Sequence, residues 1–339
     1  MRQPACILIA FLLLFTAGGA ALAEAAPETG AAVVETAEGS AEKIFTYRFA
    51  GAEEAGEMLL ANRAYYENLS QQDLNFRLQK TGATLEELEA LVPGEMLDFT
   101  DEEKAAIDDA MRIIEAICRE CGYHLPQTDG IVFAKTTMKE ECDAGAYTHG
   151  TEIYLGEAVL NLGLSDQDVW VWYFREIVAH ELFHCLTRNH PDFRTAMYGI
   201  LGFKVADRDY EFGPDVRERI ISNPDVEHYN ACASFDINGE MKDCVVVFTT
   251  KEPFRQPGDD FLYDNRETGL VPVDDLNTMY FPDDAANFWD VFGENTEYVI
   301  DPEETLADNF RFTLCYGPEG MEYKSQWIIS AMDEYLKGN

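Results

Sequence analysis

Ala179-His180-Glu181-Leu182-Phe183-His184 places two imidazoles four residues apart, with a carboxylate directly after the first. On a helix of about 3.6 residues per turn, His180 and His184 leave the same face and can meet at one metal ion. Glu181 points roughly a quarter turn away, where it reaches a water on that metal without being a ligand. In this H-E-x-x-H arrangement zinc polarises the water and the carboxylate takes its proton. The chain has only six histidines, so chance is a weak explanation of the spacing. The bland alternative is a pair of core histidines beside a solvated glutamate. The surroundings argue against it: residues 166–186 read as one continuous helix, apolar on most of its circumference, with Ser165 as its N-cap. Such a helix is buried, and buried imidazoles need a partner.

A chain of 339 residues with 47% apolar side chains suits one large domain or two lobes around a substantial core. The formal net charge of -38 is spread along the sequence, which argues against nucleic acid and anionic membrane surfaces as partners. It leaves cationic substrates, calcium at carboxylate clusters, or simple solubility. At the start, Arg2 precedes the apolar run Ile7 to Phe15, and Ala21-Leu22-Ala23 supplies a small-x-small site. Residues 1–23 therefore read as a secretory signal, with an uncleaved membrane anchor as the other possibility, and the remainder is expected to work outside the cytoplasm, secreted or at the cell surface.

Residues 24–51 are expected to be a disordered linker, because Ala, Glu, Gly and Thr dominate their first part. Beyond it the pattern is helical. Ser70, Thr84 and Thr100 are candidate caps, the last two in capping boxes with Glu87 and Glu103, and 101–121 has apolar residues at helical spacing. The period then shortens to that of strands over 130–137 and 146–155, a small sheet ahead of the metal helix. Such a sheet can accept an extended peptide at its edge. His149 in this stretch reads as a surface or turn histidine. Pro191 stops the metal helix and another follows to Leu201; 204–295 alternates short strands with turns; helices run from Asp301 to Leu314 and from Ser325 to Leu336. Of eight cysteines, Cys6 lies in the signal segment. Cys232 and Cys244 flank the Asn238-Gly239 hairpin signal and are expected to pair in an oxidising compartment.

Two histidines need a third protein ligand, with the fourth position left to water. Glu304, in Glu304-Thr305-Leu306-Ala307-Asp308, can supply a carboxylate while Asp308, one turn later, orients the ring of His180. The same residues also make a plain helix start, with Asp301 as N-cap and Pro302 at the first position. The competitor is His190, six residues after His184, but the sharp exit it requires wants glycine where this chain has Thr187.

The two motifs together, His-Glu-Leu-Phe-His and the later Pro-Glu-Glu-Thr-Leu-Ala-Asp-Asn-Phe, resemble those of the gluzincin metallopeptidases, most closely secreted bacterial members. The resemblance is specific in these motifs and diffuse over about 130 to 315. It implies zinc held by His180, His184 and Glu304, Glu181 as general base and Asp308 behind His180. It also implies an oxyanion donor in the second lobe, for which Tyr229 and then His228 are candidates because they follow an apparent turn. The expected fold is α+β and zincin-like: a first lobe over 52–188 with a small mixed sheet and the active-site helix, and a mostly helical second lobe over 189–339. The expected activity is hydrolysis of peptide or protein substrates. Two alternatives stand beside it. One is an extracellular binding protein on a zincin fold, with Cys185 or His190 closing the metal site. The other is a metzincin-like protease that uses His190.

Overall fold

A computed structural model describes residues 43–258 and 261–338, so the expected signal segment and most of the expected linker lie outside the described residues. The end of that linker is a strand. In β1 (Phe45–Phe49) three aromatic residues alternate with Thr46 and Arg48, and Phe45 is fully buried. This period of two outweighs the bland composition that precedes it.

After β1 come short helices α1 (Ala52–Ala61), α2 (Arg63–Tyr66), α3 (Gln71–Leu78) and α4 (Leu85–Glu95), then β2 (Met96–Leu97) and the long α5 (Asp101–Cys121). Ser70, Thr84 and Thr100 each close a capping box, with Asp73, Glu87 and Glu103 respectively. Each box satisfies two backbone donors that a helix start leaves orphaned. β3 (Thr128–Thr136) follows, and the single strand expected over 146–155 is instead a hairpin, β4 (Ala146–His149) and β5 (Glu152–Gly156). Gly150 turns the chain between them with φ of 57°.

These strands form the first sheet in the order β1-β3-β5-β4, with β2 also paired to β3. β1 and β5 run parallel to β3, while β4 is antiparallel to β5 and forms an edge. Both faces are covered. Phe45, Ile131, Phe133, Ile153 and Leu155 face one core, while Val132, Ala134, Tyr147 and Tyr154 face another built with α1 to α4. Each large apolar side chain buried this way contributes about 1.5–3 kcal/mol.

α6 (Glu157–Gly163) leads to α7 (Asp168–Asn189), the expected metal helix, which starts two residues later than 166. Ser165 does not cap it, its hydroxyl accepting instead from the Gln167 N–H at 3.1 Å. From Ile177 to Thr187 every residue of α7 is buried, in keeping with its nearly unbroken apolar surface. α8 (Pro191–Ile200), β6 (Lys204–Val205) and α9 (Pro214–Arg217) come next.

The half after residue 189 is less helical than expected. β6 joins β7 (Ala231–Ile237), β8 (Glu240–Thr250) and β9 (Arg266–Pro272) in a four-stranded antiparallel sheet. One of its faces, with Ala233, Phe235 and Val246, belongs to the same core as α7, so a single core crosses the boundary expected between lobes. α10 (Phe288–Phe292), α11 (Pro302–Tyr316) and α12 (Gln326–Leu336) complete a mixed α+β fold.

The expected Cys232–Cys244 disulfide is absent, and both thiols are free. The two-residue turn at Asn238-Gly239 pairs Ile237 with Glu240, which sets Cys232 opposite Val245 and Cys244 opposite Ala233. An offset of one residue puts the two side chains on opposite faces of the sheet. Cys244 accordingly packs with Ala233 in the main core and Cys232 with Val245 in a separate one. Among the described residues, no helix is long and apolar enough to cross a membrane.

Candidate metal centre

Glu176, His180 and His184 stand four residues apart on α7 and meet α11 along its length. Arg311 Nη1 donates to Glu176 Oε2 at 2.5 Å, His180 Nδ1 lies 3.2 Å from Asp308 Oδ1, and His184 Nδ1 lies 3.1 Å from Glu303 Oε1. Helix α11 begins where the sequence places it. Asp301 is the N-cap, its Oδ1 accepting from the Glu304 N–H at 2.8 Å, and Pro302 occupies the first turn. The cap and the site are therefore the same few residues, and the two readings of Glu304 do not exclude each other.

With a carboxylate on each Nδ1, the favoured tautomer of both rings turns the Nε2 lone pair toward the same space. Glu304 Oε2 enters that space, 3.0 Å from His180 Nε2 and 3.9 Å from His184 Nε2. Asp225 Oδ1 is also 3.9 Å from His184 Nε2. This nitrogen is buried and has no hydrogen-bond partner, which is costly for a group that accepts or donates so strongly. Among the described residues, two donor groups could hold a metal ion: His180 with His184 and Glu304, and Glu181 with His184 and Asp225.

Carboxyl groups crowd this point. Glu181, Asp225, Asp301, Glu303, Glu304 and Asp308 are all buried around the two rings. Burial, with the charges of Glu181 and Glu304, pushes Asp225 well above the usual carboxylate range, and burial with Glu304 lifts Asp301 to about 8. Burial also raises Glu181. Burial alone would lower His180, but hydrogen bonds to Asp308 and Glu304 carry it well above the ordinary imidazole value. For Glu304, burial is outweighed by His180 and His184, which hold the carboxyl below its usual value. These groups could hold a positive charge, proton or metal.

Glu181 is held beside this space but apart from the ring contacts, its Oε2 accepting from Thr148 Oγ1 at 2.7 Å. His180, Glu181, Asp225, Glu304, Tyr147, Tyr263 and Tyr298 are among the walls of a cavity of about 50 Å³. That is room for a few waters. Edge strand β4 flanks the cavity through Ala146 and Tyr147.

Other candidates fall elsewhere. His190 ends α7 with its Nε2 3.0 Å from Thr128 Oγ1, turned to the first sheet. Cys185 is fully buried in the core. Tyr229 packs its ring on Phe212 at 5.4 Å, and the exposed His228 lies 3.1 Å from Asp209 Oδ2. Neither is among the residues lining the cavity at His180; Tyr147, Tyr263 and Tyr298 are. The turn at 222–225 does approach the site, but the chain after it heads into the second sheet and takes Tyr229 along. His149 is not a surface residue: it is buried, its Nδ1 is 2.9 Å from Asn62 Nδ2, and burial lowers it to about 3.

Four contributors escaped the sequence: Glu303, Thr148, Asn223 and Asp225. Glu303 holds His184 and is itself fixed by Thr187 Oγ1 at 2.5 Å and Tyr198 OH at 2.7 Å. Its neighbour Glu304 was the available signal, since adjacent helix carboxylates can serve adjacent histidines. Asn223 Nδ2 donates to Glu304 Oε1 at 2.7 Å and to Asp301 Oδ2 at 3.1 Å. No local pattern marks Thr148, Asn223 or Asp225. Compared with known proteins, the chain matches no family model, no curated protein and no solved structure.

Proposed function

We propose that this protein is a zinc-dependent endopeptidase of the gluzincin type, working outside the cytoplasm on a two-lobed zincin-like fold. The observation that carries the reading is the convergence of His180, His184 and Glu304, each ring braced from behind by a carboxylate, with Glu181 beside them. The spacing fits zinc. The Glu304 carboxylate stands 3.0 and 3.9 Å from the two Nε2 atoms, so His180, His184 and Glu304 would hold the ion together. The buried His184 Nε2, which has no hydrogen-bond partner, would gain one if zinc were held there.

Zinc bound to this triad supplies Lewis acidity and lowers the pKa of the attacking water. The remaining steps belong to the chain. Glu181, oriented by Thr148, takes the water proton and passes it to the leaving amine. Tyr263 and Tyr298 face the cavity, and burial keeps their hydroxyls protonated, so they take the donor role expected of Tyr229. His190, turned to Thr128, has no part in the ligand set. The test is a pair of variants. Glu181→Gln should keep one zinc per chain and lower kcat/KM on a peptide library by about 10²–10⁴-fold, whereas Glu304→Ala should lose the zinc. Equal cleavage by Glu181→Gln and the parent would end the reading.

A further inference from the structure

Asn223, in the segment between α9 and β7, reaches the site with every polar group of its side chain in use. Its Nδ2 donates to Glu304 Oε1 at 2.7 Å and to Asp301 Oδ2 at 3.1 Å, while its Oδ1 accepts from the Asp225 N–H at 3.1 Å. These bonds fix which way the amide points. Turned over, it would set its oxygen against two carboxyl groups and its NH2 against a backbone N–H. The side chain is buried, so water is a poor substitute for any of the three partners.

The backbone that carries Asn223 is held on both sides. Before it, the Ser222 N–H donates to Asp73 at 2.8 Å and the Ser222 carbonyl accepts from Arg77 at 3.0 Å, and these two residues of α3 form a buried ion pair of their own. After it, the ring of Pro224 disfavours the helical region for Asn223, and the Pro224 carbonyl accepts from Arg188 at 3.0 Å. Arg188 lies on α7, four residues beyond His184. The helix that carries the two rings therefore also anchors the amide.

The effect falls on Glu304. Its two oxygens are divided, Oε2 facing the Nε2 atoms of His180 and His184 and Oε1 accepting from Asn223. The same amide is bonded to Asp301, the residue that caps the Glu304 N–H, so side chain and backbone of Glu304 are tied to one group. A carboxylate can offer a metal one oxygen or two. Offering two, it would crowd the position that a catalytic zinc leaves to water.

We infer that Asn223 is a positioning residue of the metal site: its amide holds Glu304 Oε1 off the metal, so that Glu304 ligates through Oε2 alone and one position stays open. This rests on the zinc reading above and adds to it the group that sets how the third ligand binds.

Cobalt(II) loaded into the full chain in place of zinc absorbs visible light less strongly as its number of ligand atoms rises. Asn223→Ala, which releases Oε1, should show weaker absorption than the parent, and should hold zinc about 10–100-fold less tightly in competition with a chromophoric chelator. Ser222→Ala is the control, because it removes a hydroxyl contact to Asp73 at 3.2 Å from the same segment and leaves the amide in place. Both of its readings should match the parent. Asn223→Ala with the parent's cobalt absorption or the parent's zinc affinity overturns the inference, and so does a Ser222→Ala that changes as much, since the segment and not the amide then matters. If Asn223→Ala does not fold, a crystal structure of the zinc-loaded parent decides. Glu304 Oε2 alone at about 2.0–2.2 Å from the ion, with Oε1 still on Asn223, is the expected result; both oxygens on the ion overturn it. Zinc that binds His184→Ala as tightly as the parent is a separate outcome, which overturns the metal centre itself.

Discussion

Glu303 and Glu304 are neighbours on one helix turn and serve different histidines, the first behind His184 and the second in front of both rings. A carboxylate behind a ligating ring fixes its tautomer and raises its basicity. Glu303→Gln should therefore weaken zinc binding by about 10–100-fold without removing a ligand, measured by competition with a chromophoric chelator; unchanged affinity would mean that the Glu303 contact only packs. Glu140 tells a separate story, away from the metal. Its Oε1 accepts from Thr136 Oγ1 at 2.6 Å and from Tyr147 OH at 2.8 Å, its Oε2 has no partner, and burial raises the carboxyl to about 7. Unfolded, a glutamate titrates near about 4.3, so the folded chain holds this proton more tightly. The stability it contributes is complete below the unfolded value and is lost as pH rises through about 7. Urea unfolding from about pH 5 to pH 8 should show this loss, up to a few kcal/mol, and Glu140→Gln should make it smaller, the raised Asp225, Asp301 and Glu181 keeping the rest. An identical slope in the variant would show that other groups carry the dependence.

Between elements, α7 and α11 are joined by buried ionic groups as much as by apolar packing. Arg311 lies between Glu176 on one helix and Asp308 on its own, with Nε to Asp308 Oδ1 at 2.8 Å, and Tyr316 also donates to Glu176. Replacing Arg311 by methionine takes the cation from two buried carboxylates and should cost about 3–5 kcal/mol in denaturant unfolding. A loss below about 1 kcal/mol, the level of an exposed pair, would show that solvent reaches these acids. The hairpin at Asn238-Gly239 shows how far local signals extend. Turn and strands were legible, since Asn238 and Gly239 take the positive φ values of 53° and 91° that such a turn requires. Counting back from that turn already opposes Cys232 to Val245, so the disulfide expectation failed on register and not on missing information.

At the scale of the molecule, one core runs beneath both sheets while six carboxyl groups are buried around His180 and His184. The proposed metal would bind the folded state alone, so its removal should be felt globally. With free zinc a hundredfold above Kd, chelation should lower stability by about 2.7 kcal/mol, seen as a fall in Tm that added zinc restores. A Tm indifferent to chelator would leave the acid cluster unexplained by metal. The sequence by itself determined the α+β class, the helix bearing His180, Glu181 and His184, and the helix start at Asp301 that presents Glu304 and Asp308. Spacing along one helix is a local property, fixed by the backbone repeat. Only the tertiary structure decided that α11 lies against α7, that Thr148 orients Glu181, that Tyr229 turns away, and that Asp225 arrives from a connecting segment. Those placements join residues tens to more than a hundred positions apart, and no short-range pattern encodes them. They follow from which apolar faces bury together, and the polar groups are carried to their partners by that packing.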